Sequence, residues 1–423
     1  MKKKNLETII NKFKQTFFPF YKSKKIKFIF NILEEGEDKN KDIAMFVGGC
    51  VRKHILNEEI DDIDIATVFT PEEIKKKFEG TDAKIVLTGL EHGSITLIYK
   101  DSKFEITTLR KDEKTFGRHA DVSFINDWLE DSKRRDITIN AIYINRKGKI
   151  YDPHNGVEDL KNGIVKFIGD STNRINEDYL RIIRFIRFAI QYDSQTDQTT
   201  IDSLKLNLNG IKTLSKERIF NELLKILKLK NFNCIFKHPN KKLIFTMIFP
   251  ELKYLDRITK IERLTDSKSF KIDNILLLGI LLIDGSNNHE YFCHKYKTSN
   301  EIQERLINLN NDYQKSLKDV SFLKTNLKKN IFLLGKKRMK DLLKLKYFLN
   351  KKDKEKDLFL KLNEIENTKV PIFPINGSYL KDKGFKEGKK IGRVLNILQS
   401  RWIDNNFSLS EKEIKITLNK ENN

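Results

Sequence analysis

Between Phe46 and Phe69 the chain reads FVGGCVRKHILNEEIDDIDIATVF. An apolar run meets Gly48 and Gly49, then a basic stretch with helical spacing, then a second apolar run carrying Asp62 and Asp64 one residue apart. That order predicts a strand, a tight turn into a helix, and a second strand. In a strand, side chains two residues apart share a face, so Asp62 and Asp64 project together while Ile63 and Ile65 point into the opposite layer. Cα atoms at that spacing are roughly 6.5 to 7 Å apart, which lets both carboxylates reach one hard cation such as magnesium. An exposed strand edge with solvated aspartates is the alternative. Upstream, the glycines permit close backbone approach to a phosphate, amides at a helix start favour anions, and Arg52 offers a two-pronged guanidinium. The combination suits a triphosphate.

The chain has 423 residues and 39% apolar composition, enough for a substantial core and several domains. Its formal charge of +22 favours a polyanionic partner, with nucleic acid leading, although a general bias toward Lys would raise the charge without any binding role. Cys50, Cys234 and Cys293 show neither disulfide nor zinc spacing and fit a reducing cytoplasm. No apolar run approaches the roughly 20 residues that cross a bilayer, so no membrane partner is expected. The longest candidate, ILLLGILLI at Ile275–Ile283, reads as a buried helix. The basic N-terminal stretch lacks a signal-peptide core and the Arg/Ser bias of a transit peptide.

Up to about residue 170, short β-branched runs alternate with helical ones, which predicts a sheet with helices. From Asn176 onward Gly becomes sparse and Leu, Ile, Phe and Lys recur at helical intervals, which predicts an all-α region. Breaks are expected near His238, Gly285 and Pro371. The stretch from Leu109 to Asp121 reads as a mobile loop.

Four blocks carry a family likeness: GGCVRK…DDIDIAT, FEITTLR at Phe104–Arg110, KRRDITINAIYIN at Lys133–Asn145, and NEDYLRIIRFIRF at Asn176–Phe188. From about Ala44 to Asp193 the chain closely resembles the class II nucleotidyltransferases of the DNA polymerase β superfamily, the CCA-adding tRNA nucleotidyltransferases and bacterial poly(A) polymerases. The wording of TGLEHGSITLIYKDSKFEITTLR and GRHADVSFINDWLEDSKRRD looks more like the CCA-adding members. Phe373–Trp402 is similar to part of their tail. Where the family writes G-G-x-V-R-D, this chain has Lys53, which implies altered loop geometry with catalysis retained.

The resemblance implies an N-terminal extension over 1–40, an α+β nucleotidyltransferase head with a mixed β-sheet over 41–170, and then an elongated all-α region. That region would divide into a neck with the base-reading helix over 171–235, a body over 236–370, and a tRNA-binding tail over 371–423. It implies template-independent addition or repair of the tRNA 3′-terminal CCA from CTP and ATP, with an A-only tRNA enzyme, a poly(A) polymerase or a silent RNA-binding relative as alternatives. Asp62 and Asp64 would be the metal ligands for two Mg²⁺ ions. Glu105 would supply a third catalytic carboxylate or else pair with Lys103. Nucleotide contacts would come from Gly48, Gly49, Arg52, Arg135, Asp136, Asp178, Arg181, Arg184 and Arg187, with Asp136 accepting from the ribose or else complementing a helix start.

Asp178, Arg181, Arg184 and Arg187 recur every three residues, a stripe on a strongly apolar helix. In the family, positions matching Asp178 and Arg181 read the incoming base. Cytosine and adenine each offer an exocyclic amine beside an acceptor nitrogen, so a carboxylate and a guanidinium satisfy both. Uracil and guanine would set like against like, at about 1 to 3 kcal/mol per unmade bond. The helical half would grip the acceptor and TΨC arms of tRNA by shape and phosphates. His92, His119 and His154 share no metal spacing and read as structural or substrate-adjacent. Gly384, Gly388 and Gly392 would let a helix start approach RNA phosphates or form a packing loop.

Overall fold

The computed structural model describes residues 13, 16–87, 89–90, 93–116, 119–264, 270–350, 352–386 and 388–422. The chain divides into two compact units, Met1–Pro250 and Glu251–Asn423.

The first unit is built on a seven-stranded sheet. In sequence its strands are β1 (Ala44–Val47), β2 (Ile63–Thr67), β3 (Lys84–Val86), β4 (Ser94–Tyr99), β5 (Ser102–Thr108), β8 (Tyr143–Ile144) and β9 (Ile150–Tyr151). Across the sheet the order is β3-β4-β5-β2-β1-β8-β9. Only β2 and β5 pair in parallel, and the rest are antiparallel. Period-two alternation assigns the faces. Phe46, Ile65, Ile95, Leu97, Phe104 and Ile106 are buried on one face, while their chain neighbours Val47, Asp64, Glu105 and Thr96 belong to the other.

Part of the expected N-terminal extension covers the buried face. Helix α1 (Lys24–Leu33), capped by the Ser23 hydroxyl, buries Ile26, Ile29, Phe30 and Leu33. The Phe20 and Phe30 rings each lie 4.8 Å from that of Phe46, and Phe28 stacks on Tyr99 at 4.1 Å. Residues 1–12 of that extension lie outside the described residues. The stretch expected to be a loop is instead a two-stranded antiparallel hairpin, β6 (Arg110–Phe116) with β7 (His119–Phe124). Its first strand is polar up to Phe116, whereas the second alternates Ala120, Val122 and Phe124 with polar neighbours, a short strand signal that the reading as a loop passed over.

Beyond the sheet, described structure is helical to Asn422. The expected breaks all fall between helices: His238 precedes Pro239–Ile248, Gly285 separates Asn274–Leu282 from Asn288–Tyr296, and Pro371 lies between Glu355–Asn367 and Gly377–Asp382. Asn274–Leu282 is buried along most of its length, as its unbroken apolar run requires. Among the described residues no helix is long and apolar enough to cross a membrane. The second unit holds one cluster around Ile280, Leu342 and Phe348 and another around Leu380, Val394 and Leu398.

Phe46 joins the sheet to α1, so its loss opens a cavity in the first unit's core. Phe46→Ala should cost about 3 to 5 kcal/mol. The check is urea unfolding in a Trp402→Phe background, where Trp128 alone reports on the first unit. A markedly lower midpoint is expected, and an unchanged one contradicts this packing.

Candidate active site

A cleft of about 890 Å³ opens on the sheet face that carries Asp64. Every residue named from the sequence as a catalytic or nucleotide-binding candidate lines it: Gly48, Gly49, Arg52, Asp62, Asp64, Glu105, Arg135, Asp136, Asp178, Arg181, Arg184 and Arg187.

The acidic floor follows from strand register. Asp64 stands opposite Glu105 on the parallel neighbour β5 and opposite Val47 on β1, and Asp62 immediately precedes β2. Burial and the charge of Glu105 push the Asp64 carboxyl up to about 6, with Arg52 and the Gly49 N–H working against them. Helix α2 (Gly49–Ile55) thus directs its first amide at a carboxylate of the protein itself. Gly48 has φ +74°, which favours glycine, and a Cβ there would lie 3.1 Å from Asp64 Oδ2, a tight contact that would press on the carboxylate. Lys53, on α2, pairs with Asp61, the residue before the acidic pair. The departure from the family motif therefore has a local partner.

Among the described residues no three His, Cys, Asp or Glu side chains gather as a metal cage. Two neighbouring carboxylates on an open cleft instead suit a hard ion that completes its shell with water and substrate phosphates, as Mg²⁺ does. The Lys103–Glu105 pairing considered from sequence is absent among the described residues.

The opposite wall is basic. Helix α3 (Trp128–Lys133) presents Asp131, fully buried, which accepts from Arg134, Arg135 and the Tyr143 hydroxyl. Burial works to raise its carboxyl, but Arg135 and Arg134 outweigh that and hold it down, to about 2. Asp136 is buried rather than solvated at a helix start. Its Oδ1 accepts from the Ile137 N–H and Asn140 Nδ2, and its Oδ2 from Nε and Nη2 of Arg184. Four donors fill its lone pairs, so a ribose hydroxyl there must displace one.

Helix α4 (Ser171–Glu177) ends before Asp178, which is extended, and helix α5 (Leu180–Gln191) begins two residues later. The three-residue stripe is therefore not wholly helical, because Asp178 sits in the bend and accepts from the Leu180 N–H. Its other oxygen accepts from Arg218 at 2.6 Å. Arg181 spends three N–H groups on Glu177 and the carbonyls of Arg174 and Arg134, leaving others for a ligand. Around the Phe188 ring converge Arg187 at 4.0 Å, Arg52 at 5.0 Å and Arg184 at 5.9 Å. Burial and the like charges of Arg184 and Arg52 pull Arg187 below the usual arginine value, with Glu222 opposing at 2.8 Å. Such a cluster favours an incoming polyanion.

Sequence reading missed the residues that fix this wall. Arg218 and Glu222 lie one turn apart on helix α6 (Lys216–Leu227), in SKERIFNELLK, and Lys225 from the same helix lines the cleft. Arg52 is further held by Asn140 and by Tyr192 at 3.1 Å. The i, i+4 spacing of Arg218 and Glu222 was the available signal, but it reads as a solvated face. His154 contacts the Ser132 hydroxyl at 2.8 Å, a structural role, while His92 and the His119 side chain lie outside the described residues. Gly384 and Gly388 adopt positive φ, and a Cβ on either would meet open space.

Residues 44–166 match the family described as the poly A polymerase head domain, and residues 195–255 match that described as a probable RNA and SrmB-binding site of polymerase A. The chain is 30% identical over 393 residues to CCA tRNA nucleotidyltransferase 1, mitochondrial, of Danio rerio, covering 91% of this chain and 89% of that protein. It is 32% identical over 372 residues to a CCA-adding enzyme of Lactobacillus delbrueckii subsp. bulgaricus, covering 86% and 90%. Among solved structures, the Bacillus stearothermophilus CCA-adding enzyme in complex with CTP shares the fold at TM-score 0.67 and 22% identity, covering 93% of this chain and 96% of that one. The Thermotoga maritima CCA-adding enzyme complexed with tRNA matches at TM-score 0.59 and 23% identity, covering 94% and 95%.

The Glu105 charge is one source of the raised Asp64 value, so Glu105→Gln should lower it in metal-free protein. A carboxyl-carbon NMR titration of Asp64 checks this, and an unmoved midpoint contradicts the proximity. A folded Asp64 value above the unfolded 3.8 costs the fold stability progressively as pH rises from 3.8 through about 6, and Glu105→Gln relieves part of that cost.

Proposed function

Since the chain belongs to the family of CCA-adding tRNA nucleotidyltransferases, we propose that it builds or repairs the CCA end of tRNA, using CTP and ATP without a nucleic-acid template. One observation carries this reading: a carboxylate pair and a guanidinium cluster that converges on Phe188 line one and the same cleft.

In the proposed reaction the 3′-hydroxyl of the RNA attacks the α-phosphorus of the bound triphosphate. The new O–P bond forms as the bond to pyrophosphate breaks, pyrophosphate leaves with that electron pair, and the hydroxyl proton passes to water. Asp62 and Asp64 are the residues that would hold two Mg²⁺ ions, with Glu105 beside them. When bound, such ions favour ionisation of the hydroxyl and offset charge on the leaving group. Arg184, Arg187 and Arg52 take the triphosphate charge. Arg135, fixed by Asp131 and Tyr143, keeps the wall rigid, while the ribose takes one of the four acceptor positions on Asp136.

Asp178 and Arg181 select the base. Each keeps hydrogen-bonding capacity beyond its internal partners, an acceptor on one side and donors on the other. Cytosine and adenine match this order, and uracil and guanine oppose it. The neck, body and tail divisions at residues 171, 236 and 371, tRNA acceptor-arm and TΨC-arm binding by the helical half, and action in the cytoplasm belong to the same proposal. The excess of basic residues supports the RNA partner.

Purified protein given tRNA lacking its last three nucleotides should add C, C and A from mixed CTP and ATP and nothing from UTP or GTP. Addition of A alone identifies the A-only reading. Asp64→Ala should lower turnover by about 10³-fold or more while tRNA binding persists, and unchanged turnover removes the acid from the chemistry. Arg181→Ala should admit UTP and GTP more than it weakens binding of CTP; a variant as selective as the parent contradicts base reading.

A further inference from the structure

We propose that the sheet face running from Glu105 to the β3 edge seats the 3′-terminal nucleotide of the acceptor RNA, and that Lys103 binds one of its backbone phosphates. This rests on the nucleotidyl-transfer reading and adds to it the place from which the attacking hydroxyl arrives.

Register defines the surface. Asp64 is opposite Glu105, Glu105 opposite Thr96, and Thr96 opposite Val86, so these side chains form one row on one face of four consecutive strands. A second row lies two residues along, where Lys103 stands directly opposite Ile98, with Asp62 just before β2 lining the same cleft. Both rows line the cleft. The acids thus stand at one end of a strip that continues outward to the sheet edge.

Charge then separates the two sides of the acids. Arg52 follows β1 and is bonded to Asn140, which leads into β8, and Arg184 is tied to Asp136 in that same segment. The triphosphate is drawn to that side. On the β4 side the lining is Val86, Thr96 and Ile98, all half-buried and uncharged, plus Lys103. Uncharged side chains of this kind suit a ribose and a base and bring no positive charge to a triphosphate. In phosphoryl transfer the attacking and leaving oxygens lie roughly in line. With pyrophosphate leaving toward the arginines, the hydroxyl must enter over Glu105 and β4.

Lys103 supplies the remaining observation. Lys53 pairs with Asp61, Arg134 and Arg135 with Asp131, Arg181 with Glu177, Arg184 with Asp136, and Arg187 and Lys225 with Glu222. Lys103, exposed on the strip, has no hydrogen-bonding or ion-pair partner among the described residues. A single unneutralised ammonium beside an in-line approach fits one phosphodiester.

The test compares Lys103→Ala, Lys103→Arg and, as an equal change of charge elsewhere, Lys149→Ala. For addition to tRNA lacking its CCA, Lys103→Ala should raise KM for tRNA about fivefold and leave KM for CTP unmoved. Its log KM against log salt should be shallower by about 0.7, the loss of one single-strand phosphate contact. Lys103→Arg should restore most of the affinity, and Lys149→Ala should do markedly less than Lys103→Ala. Fluorescence anisotropy of labelled tRNA, which needs no turnover, should show the same ranking, so wild-type inactivity would overturn the catalytic reading without masking this one. An unchanged tRNA affinity and salt slope in Lys103→Ala, an effect on CTP instead, or an equal effect of Lys149→Ala overturns the assignment.

Discussion

Guanidinium groups do not gather around one phenyl ring unaided. Arg52, Arg184 and Arg187 do so at Phe188 because carboxylates buried behind them hold the wall together. Asp136 grips Arg184, Glu222 grips Arg187, and Asp131 fixes Arg134 and Arg135. Each of these acids is almost fully buried, and burial alone would drive it toward neutrality. The neighbouring arginines reverse that, and the Asp136 carboxyl lies well below the usual carboxylate range. The wall is therefore a mutual dependence: the acids stay ionised because the arginines are there, and the arginines stay placed because the acids are ionised. Removing one partner leaves a buried charge uncompensated, which is costly in a medium of low polarity.

Facing that wall is a floor with the opposite arrangement. Asp64 and Glu105 are adjacent across a parallel strand pair, and among the described residues neither forms an ion pair of the kind Asp131 makes, Arg52 acting on Asp64 only through its field. Burial, and after it the like charge of Glu105, raise the Asp64 value, whereas behind the wall the arginines outweigh burial. The contrast separates scaffold from site. Carboxylates neutralised internally shape the cleft, and carboxylates left short of positive charge are the ones able to receive it from outside. The pair proposed to select the base combines both conditions, since Asp178 is anchored by Arg218 and Arg181 by Glu177, yet each retains bonding capacity. Anchoring removes the side-chain freedom that would blur discrimination, at no loss of the atoms that discriminate.

How much of this was legible in the sequence depends on distance along the chain. The strand–glycine–helix–strand order over Phe46–Phe69 is local, so the meeting of Asp62 and Asp64 at one cleft could be read directly although Asp62 falls just before β2, and the rest of the lining followed from the family motifs. The β6–β7 hairpin was missed, because β6 is polar up to Phe116 and the apolar alternation in β7 is confined to Ala120, Val122 and Phe124, too short to outweigh the surrounding polar residues. Asp178 was placed on a helix by its spacing, whereas a bend intervenes between α4 and α5. The anchors were the largest omission. Arg218 lies 40 residues from Asp178, and Glu222 lies 35 from Arg187. Charged residues on an amphipathic helix look solvated until the fold brings their partners to them.

The account stands or falls on whether floor and wall hold one nucleotide between them. A crystal structure with Mn²⁺ and a non-hydrolysable CTP analogue, read through its anomalous difference map, tests that directly. The expected result is anomalous density between the Asp62 and Asp64 carboxylates, with the triphosphate reaching Arg184 and Arg187 and the base edge on Asp178 and Arg181. Metal bound elsewhere, or a triphosphate lying away from the arginines, would contradict it.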